Sequence, residues 1–186
     1  FVIIFSVLIV CLLLRNFSYN YIAGIYRDLG QFDEALKTIK DGLSYSLKIA
    51  DSRSILNSYE EAGNIYVELK DYDQAITNYK SGLEVAKKNN NKGYEAVLLT
   101  LIGRAQKKGG NLDKALISLK QSEESVPLND FKKRKFIYET MTKTYEEDND
   151  FKNAFKYQAK FYQMSDSLNA IKKDEKITTL TQELIY

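Results

Sequence analysis

The sequence predicts an all-α protein built from antiparallel helical hairpins that stack on one another. Two observations support this fold class. The 186 residues include one proline and nine glycines, and a composition so poor in helix breakers favours helices over strands. In addition, one seven-residue pattern occurs four times, as GQFDEAL, KDYDQAI, GNLDKAL and NDFKNAF, starting at residues 30, 70, 110 and 149. The copies start 40, 40 and 39 residues apart, and an interval of this size is typical of stacked helical hairpins.

The repeated pattern places the same kinds of residue at the same points of each hairpin. Its alanines, Ala35, Ala75, Ala115 and Ala154, recur at a nearly constant interval. Five residues before each alanine we expect a left-handed residue that ends the preceding helix, a role for which glycine and asparagine are suited. These positions are Gly30, Lys70, Gly110 and Asn149. Twelve residues before the alanines lie mostly small residues, which would let two helices cross closely: Ala23, Gly63, Gly103 and Thr142.

The helix boundaries follow from this pattern. First helices are expected near residues 16–28, 53–69, 94–108 and 131–147, and second helices near residues 32–50, 72–88, 112–124 and 151–164. Asp51, Ser52 and Asp130 are suitable N-caps. In the tail, Ser165 or Asp166 is expected to begin a separate helix with a sparse apolar stripe.

These residues make the chain similar to the tetratricopeptide repeat family. The resemblance rests on the series Gly63–Tyr66–Ala75–Tyr79–Gly82, with Ala23–Tyr26–Ala35–Gly42 and Gly103–Ala115–Leu119 beside it. The period is longer than the usual one of about 34 residues. The resemblance implies a right-handed superhelical solenoid with an N-terminal apolar helix and a C-terminal capping or linker helix. Four repeats would cover residues 16–51, 52–91, 92–130 and 131–165, followed by the tail, residues 166–186.

The resemblance also implies a function. Such solenoids are non-enzymatic scaffolds that bind a protein or peptide on their concave face. The tail resembles the segment that ends the repeat region of bacterial membrane-bound sensor proteins, which implies the sensory region of a membrane-anchored regulator. The alternative is a structural or assembly scaffold of the cell envelope without a signalling output.

The first fourteen residues, FVIIFSVLIVCLLL, are apolar and uncharged. Residues 1–15 are therefore expected to be a membrane anchor or an export signal. This predicts a membrane-anchored or exported protein with extracytoplasmic repeats, and a cytoplasmic protein is the alternative. A buried helix of a preceding repeat would be equally apolar.

Composition excludes several kinds of chemistry. The chain has no histidine and a single cysteine, Cys11, which argues against histidine-dependent catalysis and a thiolate zinc site. We expect no catalytic residue, cofactor or metal. A net charge of +2 gives no reason to expect nucleic acid as a partner. The basic run at residues 132–135 is interpreted as a solvated helix start, and the acidic run at residues 146–150 as a turn, since it lacks the features of a calcium loop.

The candidate binding residues lie on the first helices, which line the concave face in this architecture. Arg104, Lys107 and Lys108 form the densest cationic patch, which predicts a peptide partner with an acidic element. Asn64 is suited to holding a peptide backbone. An ordinary solvated helix face is the alternative interpretation. The predicted peptide-binding residues are Asn20, Arg27, Glu60, Asn64, Arg104, Lys107, Lys108 and Lys143.

Overall fold

Helices account for nearly all of the chain that the structure describes. A computed structural model describes residues 19–185, with side chains up to residue 179 and at residue 182. Helix α1 comprises residues 19–28. The others are α2 (Phe32–Lys48), α3 (Ser52–Glu68), α4 (Tyr72–Lys88), α5 (Lys92–Lys108), α6 (Leu112–Ser125), α7 (Phe131–Glu147) and α8 (Phe151–Ile185). These residues contain no strand, so the predicted all-α fold class is confirmed.

The long repeat period follows from the length of the helices and of the connections between them. Helices α2 to α5 have the same length, 17 residues each, and a connection of three residues follows α2, α3 and α4 alike. Two such helices with their connections make one repeat. A left-handed residue with positive φ occurs once in six of the seven connections between the described helices, at Gly30, Ala50, Lys70, Asn90, Gly110 and Asn149. The α6–α7 connection is the exception, and it begins with an extended residue, Val126. The predicted left-handed positions, including lysine at residue 70, are confirmed.

The turn after α3 shows how one connection serves two helices. The N–H of Lys70 donates to the carbonyl of Val67 at 3.1 Å, and that of Asp71 donates to the carbonyl of Tyr66 at 2.9 Å. This pair of bonds is the Schellman arrangement that closes a helix. The Asp71 side chain then accepts a hydrogen bond from the N–H of Gln74 at 3.1 Å. The same residue therefore closes α3 and caps α4.

Small residues lie where helices cross, as the sequence predicts. Ala35, Ala75 and Ala115 are completely buried. A Cβ atom added to Gly63 would overlap the ring of Tyr79, which lies across the hairpin. A Cβ on Gly103 would come within 2.9 Å of Leu119. The close approach of paired helices therefore requires glycine in α3 and α5.

The chain divides after Tyr94 into two compact units. In the first unit, Ala23, Ala35, Ile39, Ala62 and Ile65 form a core between α1, α2 and α3. In the second unit, the core contains the residues Leu119, Ile137, Met141, Tyr145 and Tyr157, among others. The rings of Tyr145 and Tyr157 stack with centroids 5.5 Å apart, which joins α7 to α8.

The tail differs from the prediction. Helix α8 continues without interruption to Ile185, so the expected helix start at Ser165 or Asp166 is wrong. No left-handed residue precedes Ser165 within α8, and nearby hydroxyls bond along the helix: Ser167 Oγ donates to the carbonyl of Gln163 at 3.0 Å. A serine or aspartate can cap a helix only where the backbone leaves the helical conformation.

The expected localisation is also corrected. Among residues 19–185, no helix is both long and apolar enough to cross a bilayer. This finding contradicts the prediction of a membrane-anchored or exported protein with extracytoplasmic repeats. The apolar segment on which that prediction rested, residues 1–15, lies outside the described residues.

Candidate protein-binding site

A groove between α5 and α7 gathers four of the predicted binding residues in the second unit. It has a volume of about 490 Å³. Helix α5 contributes Arg104, Lys107 and Lys108, and helix α7 contributes Phe136, Glu139, Thr140, Lys143 and Glu147. We call this set of eight residues the cationic groove. It contains four cations and two carboxylates, so its lining carries an excess of positive charge.

Two of the four cations already have carboxylate partners. Lys107 Nζ lies 2.5 Å from Glu147 Oε1, and Lys143 Nζ lies 2.6 Å from Glu139 Oε1. Arg104 instead lies over the ring of Phe136, with its guanidinium carbon 5.5 Å from the ring centroid. Within residues 19–185, neither Arg104 nor Lys108 forms an ion pair with a carboxylate. These two exposed cations give the groove its uncompensated charge.

The contact between Arg104 and Phe136 sets the chemical character of the groove. A guanidinium that stacks on an aromatic face keeps the N–H groups at its edge available for hydrogen bonding. Those groups match the two oxygens of a carboxylate. Phe136 is half-buried and provides an apolar surface beside them. The groove therefore suits an acidic side chain that is followed or preceded by an apolar one.

The predicted residues of the first unit make different contacts. Arg27 Nη1 donates to Glu61 Oε1 at 2.6 Å, and Tyr79 Oη donates to Asn64 Oδ1 at 2.8 Å. Asn20 Oδ1 accepts a hydrogen bond from Ser58 Oγ at 3.0 Å. A ligand would have to compete with these internal bonds. A binding role for Asn20, Arg27, Glu60 and Asn64 stays a prediction.

Glu60 lies in an unusual environment within the same unit. Burial raises the pKa of its carboxyl group, and the neighbouring charge of Glu61 adds to the rise, while a hydrogen bond from Tyr94 opposes it. Tyr94 Oη donates to Glu60 Oε2 at 2.7 Å. Burial and the charge of Glu60 also raise the pKa of the Tyr94 phenol. Glu60 and Glu61 thus use different partners, as expected for adjacent residues on one helix.

Sequence reasoning missed two carboxylates that decide which cations are free. Glu61 pairs with Arg27 and Glu147 pairs with Lys107. Lys107 and Glu147 are separated in the sequence by one repeat period. Equivalent positions on consecutive first helices lie side by side in a stacked array. The period could therefore have identified the Lys107–Glu147 pair, whereas the shorter separation of Arg27 and Glu61 gives no such signal.

The basic run at residues 132–135 does start a helix, as predicted, although three of its four side chains are half-buried. Lys133 Nζ lies 2.5 Å from Asp130 Oδ2, and Arg134 donates to the carbonyls of Pro127 and Val126 at 3.1 Å. Lys135 lies over the ring of Phe161. The helix start is therefore solvated mainly at Lys132, because Lys133 and Arg134 contact the connection between α6 and α7 and Lys135 contacts α8.

The acidic run at residues 146–150 falls on the turn between α7 and α8, as predicted. Asp148 ends α7, and Asp150 Oδ1 accepts from the N–H of Asn153 at 3.1 Å. Hydrogen bonds from Asn153 lower the pKa of the Asp150 carboxyl group. Across residues 19–185, no cluster of three or more acidic or cysteine side chains is arranged to hold a metal ion.

A family model for the tetratricopeptide repeat matches residues 14–88 and, in an overlapping match, residues 54–126. Together these matches cover more than half of the chain. The chain belongs to the tetratricopeptide repeat family. The resemblance drawn from the repeated residues is thereby confirmed. Tetratricopeptide repeats form scaffolds for protein interaction. A comparison with curated proteins found none that is detectably similar to this chain.

Solved structures share the tetratricopeptide repeat fold at low sequence identity. BtubC (BKLC) from P. vanneervenii matches with a TM-score of 0.69 and 15% identity over 83% of this chain and 64% of its own. Aspartyl phosphate phosphatase F from Bacillus subtilis matches with a TM-score of 0.73 and 16% identity over 81% of this chain and 40% of its own. A signal transduction ATPase (STAND) with a tetratricopeptide repeat sensor, from Pyrococcus horikoshii, matches at 0.68 and 18% identity over 82% of this chain and 24% of its own. The chain thus spans less than two thirds of each, and the likeness concerns the fold.

Proposed function

We propose that this tetratricopeptide repeat chain is a non-enzymatic interaction module that binds an acidic peptide segment of a partner protein in the cationic groove. One observation carries the proposal. Arg104 and Lys108 face a groove of about 490 Å³ without a carboxylate partner among the described residues, while the other two cations there are paired.

The charge arrangement favours a carboxylate ligand over an apolar one. An ion pair with Arg104 would form on the face of Phe136, where the ring excludes water from one side of the guanidinium. Charge-assisted hydrogen bonds of this kind are about twice as strong as neutral ones. The Lys107–Glu147 and Lys143–Glu139 pairs hold the other two cations in place, so the attraction for a carboxylate comes mainly from Arg104 and Lys108.

A peptide display experiment on the purified chain tests this proposal. Selection from a random peptide library should enrich sequences with Asp or Glu next to an apolar residue. The double variant Arg104→Glu and Lys108→Glu should bind the selected peptide at least tenfold more weakly. The variant Lys114→Glu and Lys120→Glu is a matched control, because it changes the net charge equally at two exposed positions of α6. An equal loss in both variants, or in neither, would contradict the groove assignment.

We further propose that peptide binding serves a sensory role in a regulatory protein. The sensor repeats of the STAND protein give a precedent on the same fold, and the tail resembles the end of the repeat region in sensor proteins. The alternative is an assembly scaffold, which binds its partner without passing on a signal. Hydrogen exchange along α8 distinguishes the two: a sensor should show changed protection beyond residue 165 when the selected peptide binds, and a scaffold should not.

A further inference from the structure

Helix α8 carries an exposed face of large and small apolar side chains. Phe155 is 74% exposed and Tyr162 is 58% exposed, and Ala159 between them is exposed as well. These residues are spaced by four and three positions, so they lie on one face of the helix. Lys152 and Asp166, also exposed, extend the same face towards the two ends of the helix.

The residues that correspond to Phe155 in earlier repeats are partly buried. Phe155 follows the repeat alanine directly, as Leu36 does in α2 and Leu116 does in α6. Leu36 packs against a core that includes Ala62 and Ile65 of α3, and Leu116 packs against a core that includes Ile137 of α7. Both cores contain residues of the next helix, and both leucines are partly buried, whereas Phe155 is 74% exposed. No described residue covers Phe155 in the same way, because α8 continues straight to Ile185.

We propose that this face binds α8 of a second copy of the chain, with the two helices antiparallel and crossing at Ala159. If a twofold axis passes beside Ala159, the face matches the same face of the second copy. Lys152 and Asp166 lie equally far from Ala159 on its two sides, so an antiparallel pair places each lysine opposite the partner's aspartate. Phe155 and Tyr162 flank the crossing, so each aromatic of one copy packs beside the other aromatic of the second copy. A small residue at the centre lets the helices approach closely.

Twofold symmetry doubles every contact of this face. A twofold interface uses the same patch on both copies, so each favourable pair occurs twice. A fully buried aromatic side chain contributes about 150–250 Å². Because Phe155 is 74% exposed and Tyr162 is 58% exposed, the four aromatics of two copies would newly bury roughly 400–660 Å². A specific interface needs about 1,000 Å² or more, so the aromatics supply about half of that area and the flanking side chains must supply the rest. The dimer should therefore depend on protein concentration.

Sedimentation equilibrium of the full chain tests the proposal. The wild type should show a reversible monomer–dimer equilibrium, and Phe155→Lys should weaken it at least tenfold. Leu128→Lys is the matched control, because it makes the same kind of change at a residue that is 83% exposed in the α6–α7 connection, and it should leave the dimer unchanged. A monomeric wild type would overturn the proposal, since the occupant would then be another helix or another protein.

A charge-reversal cycle tests the antiparallel register. Lys152→Glu and Asp166→Lys should each weaken the dimer about three- to tenfold, because each places like charges opposite one another twice. The double variant should regain most of the affinity. Association that is insensitive to Phe155→Lys, Lys152→Glu and Asp166→Lys alike would arise from another surface, such as the apolar residues 1–14, and would overturn the proposal. Failure of the double variant to recover would contradict the pairing of α8 with itself.

Discussion

Replacing Lys70 by glycine should stabilise the protein, and replacing Gly110 by lysine should destabilise it. Both residues end a helix in the left-handed conformation, with φ of 61° at Lys70 and 81° at Gly110. They occupy the same position in consecutive repeats. A Cβ at Gly110 would have no atom within 4 Å, and Lys70 is exposed. These two substitutions therefore change the backbone contribution to stability without changing side-chain packing.

The magnitude follows from two opposing terms. For a residue with a Cβ, the left-handed conformation costs about 1–2 kcal/mol. Glycine avoids this cost but loses about 0.4–1 kcal/mol through the greater entropy of its unfolded chain. The net gain for Lys70→Gly is about 0.5–1 kcal/mol, and Gly110→Lys should lose a similar amount. For a chain of this length the shift in Tm would be about 1–4 °C.

Urea unfolding followed by circular dichroism measures both changes. Lys70→Ala is the control, because alanine removes the lysine charge while keeping the Cβ and its left-handed cost. We expect its stability to stay close to that of the wild type. If Lys70→Gly were no more stable than Lys70→Ala, the left-handed backbone at residue 70 would carry no measurable cost, and the reasoning would be refuted.

Further predictions concern the core and a buried carboxyl group. Ala75→Leu should lower the free energy of unfolding by about 1–3 kcal/mol, because the alanine is completely buried at a helix crossing and extra methylenes overpack such a site; urea unfolding measures this loss. Burial raises the pKa of Glu60 above its ordinary value near 4.5, so the folded state binds the proton more tightly than the unfolded state does. The stabilisation from this tighter proton binding is therefore lost as the pH rises from about 4.5 through the raised pKa. Glu60→Gln should flatten that decline in unfolding experiments across the same pH range, and an unaltered pH profile would show that Glu60 is not its source. The adjacent Glu61→Gln should instead cost about 1 kcal/mol, since it weakens the half-buried pair with Arg27.

The sequence predicted most helix boundaries closely because the same turn recurs. Lys70 is not a typical left-handed residue, but its constant spacing from Gly30 and Gly110 identifies it. Ala50 has no such signal: the predicted helix at residues 32–50 includes it, whereas α2 ends at Lys48 and Ala50 is left-handed. The tail has no second copy for comparison, and there Ser165 and Asp166 were mistaken for a helix start.

The candidate site was predictable only in part, for a physical reason. Arg104, Lys107 and Lys108 lie within little more than one turn of a single helix, so their proximity follows from the helix alone. Which of them is free depends on contacts between helices, such as the pairing of Lys107 with Glu147. The internal use of Asn64 by Tyr79 likewise requires the folded hairpin. Local periodicity therefore identifies the surface of a helix, while tertiary contacts decide which of its side chains remain available.

We propose that Arg104 and Lys108 form the recognition surface of this repeat protein. Calorimetric titration of the display-selected acidic peptide, first into the wild type and then into Arg104→Gln, tests it most directly. We expect the Arg104→Gln variant to lose about tenfold or more in affinity and the wild-type affinity to fall as salt is added, because both depend on a charge-assisted contact. Unchanged affinity in the variant, together with binding that is insensitive to salt, would contradict the claim.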